Sequence, residues 1–308
     1  MDFRSLSYFM TVASELNITR AAEKLNMSQP PLSNQIRNLE EELGCELFIR
    51  SKKGLQLTDA GNVLVRRAAQ IMNLADKTKE ELAALSGELS GTLIIGMVEG
   101  HAPFLAARWI NDFMERYPGV RYELWNGSSD DVLEQLDRNL VDLAVIAAPY
   151  DTYKLEGFTV GREPWVAVMS SSHPLAYYPG DTVPLEKLVG HPLIIPRRKT
   201  RVGAIRRWFA SIGAEANIVC EHSNYVHAQA LAQADVGICI WPQTTEYNLP
   251  GVVSKVITDP PKLAEYYLVW NRDMPRSEIA ATFADFVSEY IKVFGIEGLS
   301  VLPNSEAL

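Results

Sequence analysis

The N-terminal part of the chain carries apolar residues at helical spacing and almost no strand pattern. The apolar stripe predicted for a first helix is Leu6, Phe9, Met10 and Ala13. A second, short helix is expected after Thr19, a suitable N-cap, with small and apolar contacts at Ala21, Ala22 and Leu25. Since apolar residues three and four positions apart share one helix face, both helices are expected to pack against a neighbour.

A third helix is predicted to begin at Ser28, whose hydroxyl can cap a helix. Pro30 and Pro31 then fall in its first turn, where the missing N–H of proline is harmless. Its expected buried stripe is Leu32, Ile36, Leu39 and Leu43. The residues outside this stripe are expected to be exposed. Gln29 lies at the tip of the helix, Ser33 lies at its flank, and the opposite side carries Pro30, Asn34, Arg37 and Asn38.

Residues 49–57 replace the helical spacing with short alternating segments that pivot on Lys53 and Gly54. Two such segments around a glycine are typical of a β-hairpin. A hairpin that follows three helices in this way would form a wing. The cationic residues of this wing are Arg50, Lys52 and Lys53.

From Thr58 to about Ser86 the pattern predicts one long helix, which the segment from Gly87 to Gly91 ends. A seam with alternating spacings of four and three runs along it through Leu64, Ala68, Ile71, Ala75, Thr78, Leu82 and Leu85. Such a seam predicts pairing with a second helix and hence a homo-oligomer. The alternative is a surface helix packed on its own domain.

Beyond Gly91 short apolar runs alternate with amphipathic segments. Strands are predicted over residues 93–97, 122–125, 143–147, 165–169, 193–195, 218–220, 236–240 and 266–270. Helices are predicted over residues 103–116, 130–139 and 277–294. This alternation is typical of a parallel sheet covered on both faces. The strands from residue 165 onward predict a second lobe, and the last strand and helix are expected to return to the first.

Composition agrees with a globular chain of two or more units, because 47% of its 308 residues are hydrophobic and 22% are charged. Neither a signal peptide nor a run of about 18 uncharged apolar residues is present, so the sequence predicts a cytoplasmic protein with no membrane partner. Cys45, Cys220 and Cys239 have neither disulfide-framework nor metal-knuckle spacing and are expected to be buried, reduced thiols.

The net charge of −9 does not exclude DNA as a partner, because phosphate neutralisation depends on the local surface that binds. A basic stretch lies close to the third helix and contains Arg37, Arg50, Lys52 and Lys53. Wing cations of this kind can lie along the phosphate backbone or in the minor groove.

The N-terminal part of a recognition helix is the part that enters the major groove, and the third helix places Gln29, Pro30, Ser33 and Asn34 there. Asn and Gln can pair with adenine, Arg with guanine, and Ser with a base or the backbone. Ser28 and the first-turn N–H groups could also approach a phosphate. Taken without the wing, the same residues could form an ordinary solvated helix face.

This region closely resembles the winged helix-turn-helix of LysR-type transcriptional regulators. The resemblance rests on AAEKLNMSQPPLSNQIRNLE at residues 21–40, LG at 43–44, LFIR at 47–50 and LTDAG at 57–61. Weaker landmarks follow in order, with YPGV at 117–120, VDLA at 141–144, SHPL at 172–175 and VGICIWP at 236–242.

The resemblance implies an α/β multidomain protein with an N-terminal winged helix-turn-helix, a long linker helix and a periplasmic-binding-protein-like two-lobed effector domain. It implies a homodimer or homotetramer that binds double-stranded promoter or operator DNA, answers to a small-molecule effector, and has RNA polymerase as a further partner to consider. It implies no cofactor. The expected limits are residues 1–58 for the DNA-binding domain, 59–90 for the linker or dimerisation helix, 91–161 with 266–308 for the first effector lobe, and 162–265 for the second.

Effectors of such lobes collect outside the carboxyl ends of the strands, where residues 98–101, 127–129 and 197–201 are expected. By their place in the family pattern, the effector contacts carried over are Gly100, Ser128, Thr200 and Arg201. Ser129 also precedes the helix at Asp130, so hydroxyl and N–H groups could hold an anionic oxygen there. The basic third segment favours a small organic anion, unless it is a solvated loop.

Glu99 and His101 depart from the Ser or Thr that many relatives carry in the first segment. An inward carboxylate would repel an anion, whereas a histidine could donate or accept according to pH and tautomer. Both are effector-binding candidates, and the sequence leaves open whether they line the cleft. A metal or catalytic pair would need a third ligand or a nucleophile, for which the sequence offers no suitable place. Tyr225 and His227 are cleft candidates by position alone.

Two other classes of protein share parts of this pattern. A solute-binding protein without a DNA-binding role would have the two lobes, yet it would carry an export signal and have no use for residues 1–58. An enzyme would need a placed nucleophile or acid–base pair, and neither a G-x-S-x-G motif nor a phosphate loop is found. The sequence therefore predicts a sequence-specific transcription regulator with no catalytic or metal site.

Overall fold

The computed structural model describes residues 1–51, 54–84, 89–243 and 250–296. The chain divides into two compact units, of which the first is Met1–Glu88 with Asp137–Leu140 and the second is Leu89–Leu136 with Val141–Leu308. Among the helices described, none is both long and apolar enough to cross a membrane.

The first unit consists of three short helices, a hairpin and a long helix. Its elements are α1 (Phe3–Glu15), α2 (Ile18–Lys24), α3 (Gln29–Leu43), β1 (Phe48–Ser51), β2 (Gly54–Leu57) and α4 (Asp59–Ala84). Strands β1 and β2 pair antiparallel with Phe48 opposite Leu57, which confirms the predicted hairpin. The predicted residues that lie outside the described part are Lys52, Lys53, Leu85 and Gly87, together with the side chains of Arg50 and Leu82.

The apolar stripes predicted for α1 and α3 form the core of the first unit. Its fully or almost fully buried side chains include Leu6, Phe9, Leu32, Ile36 and Leu39. Burial of such a side chain contributes roughly 1.5–3 kcal/mol, so this core fixes the orientation of α3. Leu43 was expected in the stripe but is exposed, because α3 ends there and Gly44 turns the chain away in a left-handed conformation.

Two predicted helix caps differ in detail from the structure. Helix α2 begins before Thr19, because the Asn17 side chain accepts hydrogen bonds from the N–H groups of Thr19 and Arg20. Ser28 does occupy the N-cap position of α3, but its hydroxyl makes no capping hydrogen bond.

The N-terminal part of the predicted seam on α4 packs within its own unit. Leu64 and Ala68 are buried in the helical core, and Ile71 packs against it. These three positions therefore behave as the surface-helix alternative predicts. Thr78, further along the helix, is exposed.

The second unit is an α/β assembly with one mixed sheet. Its elements are β3 (Gly91–Val98), α5 (Ala102–Arg116), β4 (Val120–Gly127), α6 (Ser129–Asp137), β5 (Leu143–Ala147), β6 (Leu155–Ser170), β7 (Thr182–Pro184), β8 (Leu193–Pro196), α7 (Lys199–Ala210), β9 (Ile218–His222), α8 (Tyr225–Gln233), β10 (Ile238–Pro242), β11 (Val252–Thr258), β12 (Leu263–Asn271) and α9 (Glu278–Phe294). Ser277 caps α9 as its predicted start requires.

The sheet runs in the order β4-β3-β5-β12-β6-β10-β8-β9, with β11 paired to β6 and to β7. Strands β3, β4 and β5 are parallel, as are β8, β9 and β10. The predicted parallel pairing holds for these two sets of strands, and the sheet as a whole is mixed because β12 and β6 run antiparallel to their neighbours. Strand β6 joins the two lobes, since its first part pairs with β12 and its last part, from Trp165, pairs with β10 and β11.

The three cysteines are free thiols in different environments. Cys239 is buried, and this burial raises the pKa of its thiol, whereas Cys220 is only half-buried. The expectation of buried thiols is wrong for Cys45, which is exposed directly after the end of α3.

Candidate functional site

The outer side of α3 is the first candidate site. Ser28, Pro30, Asn34 and Arg37 are exposed there, and Gln29 and Ser33 are half-buried. The guanidinium of Arg37 lies 3.6 Å from the Glu41 carboxylate, one helical turn along. An exposed pair of this kind is worth at most about 1 kcal/mol, so Arg37 can exchange Glu41 for another anion at little cost.

The side-chain carboxylate of Glu40 attaches the start of the hairpin to α3 by accepting hydrogen bonds from two backbone N–H groups. Glu40 at the end of α3 accepts the N–H groups of Leu47 and Phe48 at 2.7 and 3.1 Å. A side chain at Gly61 would place its Cβ only 2.2 Å from the carbonyl oxygen of Leu47, so glycine allows α4 to approach the segment before β1. These contacts fix where the hairpin begins relative to the outer side of α3.

A cavity of about 360 Å³ in the second unit is the second candidate site. It lies at the carboxyl ends of the parallel strands of both lobes, because β3, β4, β5, β8, β9 and β10 all contribute to its wall there. Parallel strands bring their carboxyl ends to one edge, so segments distant in sequence meet. The predicted effector residues on this wall are Glu99, Ser128, Ser129, Thr200 and Arg201.

Gly100 and His101 are not among the described residues that line the cavity, which corrects their expected place. Gly100 has a left-handed φ of +99° and turns the chain at the end of β3. His101 is only 3% exposed, and its Nδ1 lies 2.9 Å from the buried Glu163 carboxylate. The other carboxylate oxygen of Glu163 accepts the hydroxyl of Tyr266 at 3.3 Å. His101 therefore belongs to a buried polar cluster of which only Tyr266 lines the cavity.

Glu99 lines the cavity, but hydrogen bonds already engage its carboxylate. One oxygen accepts the Asn224 side-chain amide at 2.8 Å, and the other accepts the Tyr225 N–H at 2.9 Å. Both donors lie at the N-terminus of α8, where the helix dipole favours negative charge. The expected repulsion of an anion by Glu99 is reduced accordingly.

The start of α6 is occupied by acidic side chains of its own chain. Ser128 donates from its N–H and its hydroxyl to the Asp131 carboxylate, at 3.0 and 2.6 Å. The hydroxyl hydrogen bond is the main reason that the pKa of Asp131 is lowered. With Asp130 in the same turn, this helix start is poorly suited to the anionic oxygen that the sequence suggested for Ser128 and Ser129.

The start of α7 has the opposite charge. Arg198 is neutralised by Asp130 at 2.9 Å and also donates to the carbonyl oxygens of Ala147 and Pro149. Arg201 has its guanidinium carbon 5.2 Å from the centre of the Trp165 ring. Desolvation by burial lowers the pKa of Arg201, but an arginine keeps its charge under ordinary conditions. Arg197 and Lys199 also line the cavity but are exposed, so Arg201 is the half-buried cation whose charge remains available to an anionic group.

Sequence reasoning missed the aromatic part of the wall, which consists of Trp165, His222, Trp241 and Tyr266. Trp165 and Tyr266 open predicted strands, and Trp241 follows one, so bulky rings at strand ends were the available signal. Rings in this arrangement offer apolar area together with indole N–H groups. Tyr225 is buried against Trp241 without lining the cavity, and His227 is exposed.

Two family models match the chain. The model described as LysR substrate binding domain matches residues 86–292. The model described as bacterial regulatory helix-turn-helix protein, lysR family, matches residues 3–62.

Curated relatives match over most of their own length. The HTH-type transcriptional regulator BsdA of Bacillus subtilis is 34% identical over 249 residues, which cover 79% of this chain and 84% of BsdA. The HTH-type transcriptional regulator AlsR of the same species is 29% identical, with 89% and 91% covered. The Hca operon transcriptional activator HcaR of Escherichia coli is 29% identical, with 94% and 96% covered.

Solved structures share the fold at low sequence identity. CbnR, a LysR family transcriptional regulator, is 23% identical with a TM-score of 0.78, and the match covers 94% of this chain and 99% of CbnR. The same figures hold for full-length CbnR in complex with its target DNA. Full-length BenM is 24% identical with a TM-score of 0.57, and the match covers 99% of this chain and 100% of BenM.

Proposed function

The chain belongs to the LysR family of bacterial transcriptional regulators, and from this we propose which of its residues read DNA and which hold its effector. It is a DNA-binding transcriptional regulator with an effector-binding domain and not an enzyme. We assign DNA binding to residues 1–58, the linker to 59–90, and effector binding to lobes formed by 91–161 with 266–308 and by 162–265.

DNA is read by the outer side of α3 and by the wing. The proposed contacts are Ser28, Gln29, Pro30, Ser33, Asn34, Arg37, Arg50, Lys52 and Lys53. The observation that carries this proposal is that the apolar side of α3 is buried in the core while Asn34 and Arg37 remain exposed. Short amides and a guanidinium suit base edges, and wing cations suit phosphates.

The effector is a small organic anion held in the cavity. Its anionic group pairs with Arg201 and the hydroxyl of Thr200 at the start of α7, and its apolar body packs on Trp165 and Tyr266. Glu99, Ser128 and Ser129 form the opposite wall. Gly100 and His101 follow Glu99 in the chain, and they hold this wall in place without lining the cavity.

The regulator acts as a homodimer or homotetramer through the part of α4 that lies beyond its own core. It works in the cytoplasm, where promoter DNA and RNA polymerase are found. Effector binding favours one arrangement of the lobes and thereby shifts the oligomer between geometries that fit different spacings of DNA half-sites.

A mobility-shift titration against the DNA that flanks its own gene tests the DNA-binding proposal. We expect Lys53→Ala to weaken binding to every sequence and to reduce the salt slope by about 1, whereas Gln29→Ala should relax sequence preference. A solute-binding protein would bind no duplex specifically. Wing variants with unchanged affinity and salt slope would show that the wing does not contact DNA.

A further inference from the structure

His222 and Trp241 form one side of the cavity wall. His222 is the last residue of β9 and Trp241 is the last residue but one of β10, and their ring centres lie 5.0 Å apart with planes inclined by 32°. His222 is 5% exposed, so its ring is almost wholly withdrawn from bulk water. Neither residue has a role in the anionic contact proposed for Arg201.

The tautomer of His222 follows from its hydrogen bond. Its Nδ1 lies 3.1 Å from the backbone carbonyl oxygen of Asn224. Because a carbonyl oxygen can only accept, Nδ1 carries the proton, and Nε2 of the neutral ring presents a lone pair. Burial lowers the pKa of His222 to about 4, which keeps the ring neutral near pH 7. Nε2 is therefore an acceptor.

Complementary polar atoms on this wall have no protein partner. Within the described residues, neither Nε2 of His222 nor the indole Nε1 of Trp241 makes a hydrogen bond, although both atoms are buried. A buried donor or acceptor left unsatisfied carries a desolvation cost, and native proteins rarely leave one in that state. An acceptor on His222 and a donor on Trp241, in rings whose centres lie 5.0 Å apart, suit a group that can both donate and accept.

We propose that the effector carries a hydroxyl group, separate from its anionic group, that donates to Nε2 of His222 and accepts from the indole N–H of Trp241. This inference rests on the proposed function, because it assumes that the effector anion occupies the same cavity at Arg201. The predicted ligand class is a hydroxylated small organic anion. A site that hydrogen-bonds a substrate hydroxyl discriminates strongly against the analogue that lacks it, so this pair sets specificity.

Isothermal titration calorimetry of the full-length protein with matched acids tests the proposal. The probes are benzoate, its three monohydroxy isomers and their methyl ethers, together with butanoate and 3-hydroxybutanoate. We expect at least one hydroxy acid to bind about tenfold more tightly than its parent acid. Its methyl ether, which can accept but not donate, should lose that advantage.

The variants His222→Phe and Trp241→Phe keep a ring. Trp241→Phe removes the indole N–H, and His222→Phe removes Nε2 together with the Nδ1–H that donates to Asn224. His222→Phe should abolish the preference for the hydroxy acid and leave the parent acid's affinity unchanged, and Trp241→Phe should reduce the preference in part. His227→Phe makes the same substitution at an exposed histidine and should change nothing. Without ligand, His222→Phe loses the hydrogen bond to the Asn224 carbonyl oxygen as well as the unsatisfied Nε2, so its melting temperature is recorded as the check that the variant is folded.

Equal binding of every hydroxy acid and its parent, or no binding of any, would overturn the inference, as would a preference that survives in His222→Phe. A fixed water at His222 would give the first of these results. Arg201→Ala separates the two proposals. Acids that bind alike but are all lost in this variant contradict only the hydroxyl site, whereas acids that bind equally well to wild type and Arg201→Ala contradict the anion site.

Discussion

The outer side of α3 and the wall of the cavity are both polar surfaces, but their groups stand in different environments. On α3 the polar residues lie within one helix, and Arg37 has only the exposed Glu41 as its ionic partner among the pairs described. On the cavity wall, Glu99 is held by the start of α8, and Arg198 binds Asp130 and two carbonyl oxygens.

This difference predicts that substitutions at the two surfaces act differently on binding affinity and on the stability of the fold. Groups on α3 are solvated before DNA arrives, so their removal should weaken recognition without destabilising the protein. Groups on the cavity wall form hydrogen bonds and ion pairs with residues of the other lobe. Their removal is therefore expected to lower the stability of the protein as well as its affinity for the ligand. The following experiments test this separation.

The largest effect is expected from Arg201→Ala. Removal of a partly buried cation that pairs with an anion costs about 2–5 kcal/mol, so carboxylate binding should weaken by at least about 30-fold. Affinity for duplex DNA without effector should stay within about threefold of wild type, since the substitution lies outside the first unit. Arg206→Ala, on the exposed side of the same helix, is the matched control and should bind carboxylates normally. Carboxylate affinity is measured by calorimetry. An equal loss of affinity in Arg201→Ala and Arg206→Ala would contradict the assignment of Arg201 as the anion-binding residue.

Gly61→Ala should destabilise the first unit by about 1–3 kcal/mol, because the new Cβ meets the Leu47 carbonyl oxygen. All six tryptophans lie beyond residue 89, so tryptophan fluorescence follows the second unit during urea unfolding while circular dichroism follows the whole chain. Only the part of the dichroism change that tryptophan fluorescence does not follow should shift to lower urea.

The control for this substitution is Gly203→Ala in α7, where a Cβ meets only the end of the flexible Arg207 side chain. It should leave both transitions unchanged or stabilise the second unit by up to about 1 kcal/mol. A Gly61→Ala protein that unfolds like wild type would show that α4 and the segment before β1 are not in close contact.

A smaller effect on the free energy of unfolding is expected when the pH is lowered. The pKa of His222 is about 4 in the folded protein against an ordinary value of 6.5, because burial disfavours its charged form. The unfolded chain therefore binds this proton first as pH falls, and folding loses about 1 kcal/mol from this group between pH 7.5 and 5.5. Urea unfolding monitored by tryptophan fluorescence should show a shallower pH dependence for His222→Phe than for wild type. Parallel curves would mean that His222 is not buried in the neutral form.

Features set by local spacing could be predicted from the sequence. The start of α3, its buried Leu32, Ile36 and Leu39, the hairpin and most strands follow from periodicity and glycine placement. The prediction that Leu43 is buried was wrong, because periodicity does not show where a helix ends. The strand segments of β7 and β11 carry weak patterns and were missed.

The cavity wall depends on contacts between distant parts of the chain. Glu99 meets Asn224, which is 125 positions away, so no local pattern could show that its charge is engaged. His101 was a cavity candidate because its segment follows the end of β3, but the turn at Gly100 carries it toward Glu163. Trp165 and Trp241 both line the cavity because β6 pairs with β10, in a register that the sequence does not display.

The most direct test of the central claim is the specificity ratio of an Asn34→Ala variant. This ratio is the affinity for the protein's own operator divided by the affinity for a scrambled duplex, measured by fluorescence anisotropy at one salt concentration. We predict that it falls about tenfold or more, since a bidentate base contact is worth about 1–3 kcal/mol, while the melting temperature stays unchanged. A ratio equal to that of wild type, in a folded variant, would contradict the claim that this side of α3 reads DNA.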